Sequence, residues 1–260
     1  MIKTEIGYTT PDKIVVRGYN LAEELIGKID FVDMILLVTH GRRCSDAEKD
    51  MINTILVTVT DHGLTPSAVA ARLTYTGAPE SLQGAVAAGL LGAGSVFLGS
   101  MENAANMLRE GAAALGNEST DEEVRAAAES LVDARRAARQ PLAGVGHNIH
   151  VEGDPRIPSL REVSVRNGFH GIHWRLLTAI GEATATRYRR PLHPNTAGAV
   201  GAMVADMGLP SSMARGLALV GRCAGLVAHI IEEEQSPTGQ ELWNLVLRQD
   251  PRNVLPPNAR

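Results

Sequence analysis

Gly144-Val-Gly-His-Asn-Ile-His-Val-Glu-Gly-Asp-Pro-Arg156 is the stretch on which the reading of this chain turns. Gly144 and Gly146 let the backbone come close to a bound group, and His147 and His150 follow within four residues. Asp154-Pro155-Arg156 then closes the segment as a turn. Small residues, imidazoles and a guanidinium in one loop suit an anionic, oxygen-rich small molecule. The same residues also suit a polar surface turn, and it is other stretches of the chain that decide between the two.

On either side of this loop the apolar residues recur at helical spacing. Upstream, Ser45-Asp-Ala-Glu48 and Thr120-Asp-Glu-Glu123 are capping-box patterns that open two helices. Met51, Ile52, Ile55, Leu56 and Val59 form the apolar face of the first, and the second runs to about Gln140. Leu21 to Val38 reads as one helical segment ended by Gly41, and Ser67 to Leu73 starts another that Gly77 and Pro79 break. Ser81 to Gly94 is small or aliphatic almost throughout, which predicts a helix buried all round, with glycines permitting close helix approach. It is too short and glycine-rich for a membrane span. Downstream, helices are expected over about Leu160–Tyr188, Thr196–Met207 and Ser212–Glu233, with an extended or mobile tail after Gln249. Lys13 to Tyr19 is the one strand-like run. The count is roughly ten helices and almost no sheet, an all-α fold.

Composition narrows the function. Aromatic residues are only 3% while glycine reaches 26, so packing relies on aliphatic and small side chains. A net charge of −4 lacks the basic footprint of a nucleic-acid binder. Cys44 and Cys223 are too few for a disulfide framework or a cysteine zinc site. His170 and His173 stand one helical turn apart but have no third ligand at a matching spacing, so no metal is expected. With no apolar leader and no uninterrupted apolar run of membrane length, the chain is expected to be cytoplasmic and free of membrane partners.

Four further stretches join the opening loop in one order. They are Asp61-His62-Gly-Leu-Thr-Pro-Ser67, Gly94-Ser-Val-Phe-Leu-Gly-Ser-Met-Glu102, His193-Pro-Asn-Thr-Ala-Gly-Ala-Val-Gly201 and Gly221-Arg-Cys-Ala-Gly-Leu-Val-Ala-His229. Together the five resemble the segments of the citrate synthase superfamily, and the resemblance covers nearly the whole chain. It implies a two-lobed helical fold closing over a cleft, with residues 1–99 and 209–260 in a large lobe and 100–208 in a small one. It implies a homodimer or higher homo-oligomer that binds a polycarboxylate and a coenzyme A thioester as substrate or product, with no permanently bound cofactor. His62 and His147 would bind the citrate-like oxygens and carry the chemistry. Arg156 and Arg222 would pair with carboxylates, whose geometry a guanidinium fork matches. Gly144 and Gly146 would lie against the coenzyme A ester, and Phe97 would line the acyl pocket.

Two departures set the branch. Where citrate synthases carry the histidine that polarises the thioester carbonyl, this chain has Phe97; where they carry the aspartate base, it has Ala197. Neither side chain can move a proton, and losing such a group typically costs ~10²–10⁴-fold in rate. Asn148 replaces a family arginine, and Gln235-Ser-Pro-Thr-Gly-Gln-Glu241 stands where a basic Arg-Pro segment would be. The citryl-CoA lyases and the C-terminal module of ATP-citrate lyase also resemble this chain at Phe97, although they keep the aspartate. The resemblance therefore implies citryl-CoA cleavage to acetyl-CoA and oxaloacetate rather than citrate synthesis. The alternatives are another acyl-CoA substrate on the same fold, or a catalytically silent citrate- or acyl-CoA-binding paralogue. Asp61, His150 and His193 are the candidate acids for the final proton transfer.

Overall fold

A computed structural model describes residues 2–188 and 190–254. Its framework is eleven α-helices among the described residues, preceded by a short antiparallel meander of β1 (Gly7–Thr9), β2 (Ile14–Val16) and β3 (Tyr19–Asn20). Val15 pairs with both Tyr8 and Asn20 across the meander. The all-α expectation holds, and the strand-like run is where it was expected.

Both capping boxes form. The Ser45 hydroxyl accepts from Glu48 N–H and the Glu48 carboxylate accepts from Ser45 N–H at the start of α2 (Asp46–Thr60). Thr120 and Glu123 repeat the exchange at α6 (Asp121–Ala137). α3 (Pro66–Gly77) starts with proline in its first turn, capped by Thr65.

Three expectations change. Leu21–Val38 is not one helix: a π-helical turn, Leu21–Leu25, is followed by a break, and Asp30 caps α1 (Phe31–His40) afresh through Asp33 N–H. The expected helix over Leu160–Tyr188 is two, α7 (Ile157–Arg166) and α8 (Ile172–Arg187). Gly168 turns the chain between them with φ of 74°, and Asp206 reaches across to accept the Gly171, His173 and Trp174 N–H groups. The third change concerns α4 (Leu82–Ala93). It buries only one face, through Ala85, Val86, Gly89 and Ala93, and leaves Leu91 82% exposed.

α4 runs on through a π-helical turn, Gly94–Leu98, into α5 (Gly99–Gly111). Taken together, Leu82–Gly111 is long and apolar enough to cross a membrane by length and composition, as is α10 (Ser212–Gln235), although Gly94 interrupts the first run with φ of 47°. In this fold their apolar faces pack on other helices: α4 on α3, α5 on α9 (Thr196–Asp206), and α10 on α2, α3, α4 and α5. Close approach is real where glycines allow it. A Cβ on Gly89 would meet Leu226 Cδ1 at 2.7 Å, and one on Gly201 would meet the Ala105 backbone nitrogen at 2.7 Å.

The main core gathers α1, α2 and α5–α10, with Trp174, Leu108, Ile180 and Met203 fully buried. A smaller cluster, Ala71, Ala85, Val86, Leu226 and Ile230, joins α3, α4 and α10. The chain also forms α11 (Gly239–Gln249), whose first turn packs on α3. Beyond Gln249 the described residues reach Val254; the rest of the expected extended tail lies outside them.

Candidate active site

The stretch from Gly144 to Arg156 forms no regular element except a single bridge, Val145 to Pro194. Gly146 N–H donates to His193 O at 2.7 Å, Asn195 N–H to Gly144 O at 3.0 Å, and the Asn195 amide to Gly146 O at 2.5 Å. The loop is thus laced to the N-terminus of α9, where Asn195 also caps the helix through Gly198 N–H. Gly144 and Gly146 both hold positive φ, 88° and 78°, which few side chains adopt.

Asp154 is the buried anchor of this arrangement. Its carboxylate accepts Arg156 Nε at 2.9 Å and Nη2 at 2.8 Å, and also the Thr196 N–H and hydroxyl at 2.9 and 2.8 Å. Burial opposes its charge, but the Arg156 and Thr196 donors outweigh that and hold the carboxyl well below the usual range. Arg156 is therefore oriented before any ligand arrives.

His147 has a defined tautomer. Its Nδ1 accepts the N–H groups of Ile149 and His150, both at 3.0 Å. Backbone amides only donate, so the proton sits on Nε2. Burial first, and His150 second, keep its pKa below the ordinary histidine value. His62, in the loop after α2, is lowered likewise by burial, then by Arg156, His150 and Arg222. The three imidazoles cluster: His147 and His150 lie 4.5 Å apart, and His62 lies 6.1 and 6.0 Å from them.

Arg222 comes from the middle of α10 and is only 8% exposed. Its Nε and Nη1 are buried and meet no acceptor among the described residues. Leaving a buried charged donor unpaired costs upward of ~1–3 kcal/mol, and unlike the buried Nε atoms of Arg109 and Arg215, those of Arg222 belong to a side chain that lines a cavity.

His62, His147, Arg156, Arg222, Phe97, Gly144 and Gly146 all line one cavity of about 530 Å³. The seven residues singled out in the sequence are thus brought together. Ala197 lines it as well, with Leu64, Val96, Leu98, Met101 and Ile149 on the apolar side and Thr65, Ser67, Ser100 and Asn148 as neutral polar neighbours; no carboxylate is among the lining residues. The three candidate acids fare differently. His150 joins the imidazole cluster. Asp61 is held by His229 Nε2 at 2.8 Å, and His193 contributes its backbone carbonyl to Gly146. His170 stacks on Trp174 and accepts from Arg161, while His173 pairs with Asp206 at 2.7 Å. Those two histidines serve the α7–α8 junction.

Several contributors escaped the sequence reading. Asn195, Thr196 and Asp154 lie within the motifs, but their residue types alone do not reveal that they lace the loop to α9. Arg72 left no local signal: it is a buried cation whose partners, His229, Glu232 and Glu233, lie about 160 residues away.

The citrate synthase C-terminal domain family model matches residues 12–243. The chain belongs to the citrate synthase family. It is 26% identical over 202 residues to citrate synthase 2 of Bacillus subtilis (strain 168), a match covering 76% of this chain and 50% of that one. It thus spans about half the length of that curated relative. Among solved structures it resembles the citryl-CoA lyase of Hydrogenobacter thermophilus, with 29% identity and a TM-score of 0.81 over 100% of this chain and 97% of that one. The ATP citrate lyase of Methanothrix soehngenii, solved with citrate and coenzyme A, shares the fold at 20% identity and a TM-score of 0.73, covering 90% of this chain and 39% of that one. Family membership and helical fold match the resemblance read from the five motifs, and a citryl-CoA lyase is among the structures the chain resembles.

Proposed function

We propose that this citrate synthase family member is a carbon–carbon lyase that cleaves citryl-CoA, or a related 3-hydroxy-3-carboxyacyl-CoA, to an acyl-CoA and a 2-oxo acid. For citryl-CoA the products are acetyl-CoA and oxaloacetate. The observation that carries the reading is the cavity, which sets buried, unpaired Arg222 and two low-pKa imidazoles against an apolar wall containing Phe97 and Ala197. Full-length similarity to a citryl-CoA lyase supports it.

In this reading Arg222 and the remaining N–H edge of Arg156 bind carboxylates. His62, unprotonated at neutral pH, takes the proton from the tertiary hydroxyl. The carbon–carbon bond next to that carbinol then breaks, its electron pair passing into the thioester enolate as the new carbonyl forms. His147 Nε2–H donates to the oxygen on which charge changes. Protonation of the enolate carbon completes the acyl-CoA; none of the three candidate acids lines the cavity itself, and His150 is the one packed against both other imidazoles. Gly144 and Gly146 would face the thioester arm, which acts as substrate; no resident cofactor is part of the scheme. Without a polarising histidine or an aspartate base in the wall, citrate synthesis by the usual constellation is disfavoured.

Ala197 favours a second reading, a silent paralogue that binds citrate or acyl-CoA. Incubation with citryl-CoA, with mass-spectrometric detection of acetyl-CoA and oxaloacetate, separates the two. Turnover that disappears in His62→Ala and His147→Ala supports the lyase; no turnover, with citrate still raising the melting temperature, supports the binder. A homodimer with lobes at 1–99 plus 209–260 and 100–208, working in the cytoplasm, completes the proposal. Light scattering on the purified chain tests the oligomeric part.

A further inference from the structure

α10 passes unusually close to the end of α2. A Cβ on Gly221 would meet Leu56 O at 2.8 Å; one on Gly225 would collide with the Thr60 carbonyl and lie 3.7 Å from Asp61 N. Asp61 therefore starts from a point on α10 one turn beyond Arg222 and one turn before His229. Arg222 and His229 flank it along the same helix; Arg222 feels the Asp61 charge, and the carboxylate pairs with His229. His229 Nε2 lies 2.8 Å from Asp61 Oδ1, while Asp61 Oδ2 accepts Gly63 N–H at 2.8 Å.

That pairing is enforced from behind. Arg72, 1% exposed, presents Nε and Nη2 to His229 Nδ1 at 3.1 and 2.9 Å. A guanidinium only donates, so Nδ1 bears the lone pair and Nε2 carries the hydrogen offered to Asp61. Arg72 is itself fixed by Glu232 and Glu233. Glu233 also accepts the N–H groups of Thr238 and Gly239 at 2.8 and 2.6 Å, which ties in the start of α11. Gln235–Glu241, where the basic segment was missing, thus has a structural task of its own.

We propose that His229 is a positioning residue that keeps the Asp61 carboxylate off Arg222, so that the buried guanidinium stays open to a substrate carboxylate. Without that restraint Asp61 would rotate onto the unpaired Nε and Nη1 and occupy the anion site itself. This rests on the reading of Arg222 as a carboxylate site.

The test is a crystal structure of His229→Ala together with calorimetric citrate binding to the wild type, His229→Ala, His229→Gln and His229→Ala/Asp61→Asn. The expected variant structure has the Asp61 carboxylate within hydrogen-bond distance of Arg222 Nε or Nη1. Citrate affinity should fall about tenfold in His229→Ala and return to within about threefold in the double variant, because the competing carboxylate is gone. Glutamine can accept from Arg72 and donate to Asp61, so His229→Gln should bind citrate like the wild type. Asp61 unmoved in the His229→Ala structure overturns the proposal. So does a double variant as weak as the single one, or a His229→Gln that folds and binds as weakly as His229→Ala. If wild type binds no citrate yet Asp61 moves onto Arg222 in the variant, the positioning role stands and the carboxylate-site reading falls.

Discussion

The backbone of Gly144 lies directly against that of Gly198: a Cβ on the first would sit 2.5 Å from Cα of the second. This contact, with φ of 88° at Gly144, seats the histidine loop on the N-terminus of α9. Gly144→Ala adds both a left-handed strain and an overlap that neither backbone can relieve. It should cost about 2–4 kcal/mol in urea denaturation. A loss under about 0.5 kcal/mol would mean the loop can reseat.

Arg222→Met should separate stability from binding. Removing a buried guanidinium with two unpaired N–H groups and filling its volume with an apolar chain should stabilise the unliganded protein by about 1–3 kcal/mol. The same variant should no longer gain melting temperature from citrate. Lower stability without ligand would show that Arg222 has a structural partner after all.

The imidazoles set a pH dependence. Burial above all holds the pKa of both His62 and His147 below the ordinary histidine value of about 6.5. As pH falls through 6.5 the unfolded chain takes up protons at these positions while the folded chain still refuses them. Their stabilising contribution is thus fully present above 6.5 and is lost as pH falls through the lower folded values. A His62→Asn/His147→Asn variant should flatten the slope of stability against pH below 6.5. For activity, a general base must be unprotonated, so the acid limb of kcat/KM should also lie below 6.5 and vanish with His62.

Asp154→Asn should weaken both fold and site. The substitution removes the charge that Arg156 forks onto and disturbs the acceptor for two Thr196 donors. A loss of about 2–4 kcal/mol is expected, together with weaker citrate binding. Thermal unfolding with and without citrate reads both at once.

Ala197→Asp returns a carboxylate to the apolar wall. If proton transfer limits turnover, citryl-CoA cleavage should rise about 10–100-fold. An unchanged rate in single-turnover experiments would show that another group already fills this role.

Much of the helix scaffold was legible because its signals are local. Ser45 and Thr120 carry both halves of a capping box within four residues, and Asn195 caps the helix expected near Thr196. The breaks that were missed depend on distant partners or on weak punctuation. The start of α8 needs Asp206, more than thirty residues away, and the break before α1 rests on Asp30 in an otherwise apolar-periodic run. The face buried by α4 is decided by α3 and α10, which periodicity over small residues cannot identify. The candidate site residues emerged from the order of five motifs and the family resemblance they carry together, since the 144–156 loop alone equally suits a polar surface turn. The Arg72–His229–Asp61 chain was invisible, because nothing in a linear sequence relates position 72 to position 229.

Arg222 finally bears on how long the molecule lasts. On the proposed carboxylate site, a ligand that takes up the two buried N–H groups of Arg222 becomes part of the folding equilibrium. A ligand at a hundred times its dissociation constant adds about 2.7 kcal/mol, which lowers the unfolded population roughly a hundredfold. Proteases act on that population when opening is fast. The lifetime of the chain should therefore follow its substrate supply, and starved protein should be cleared first.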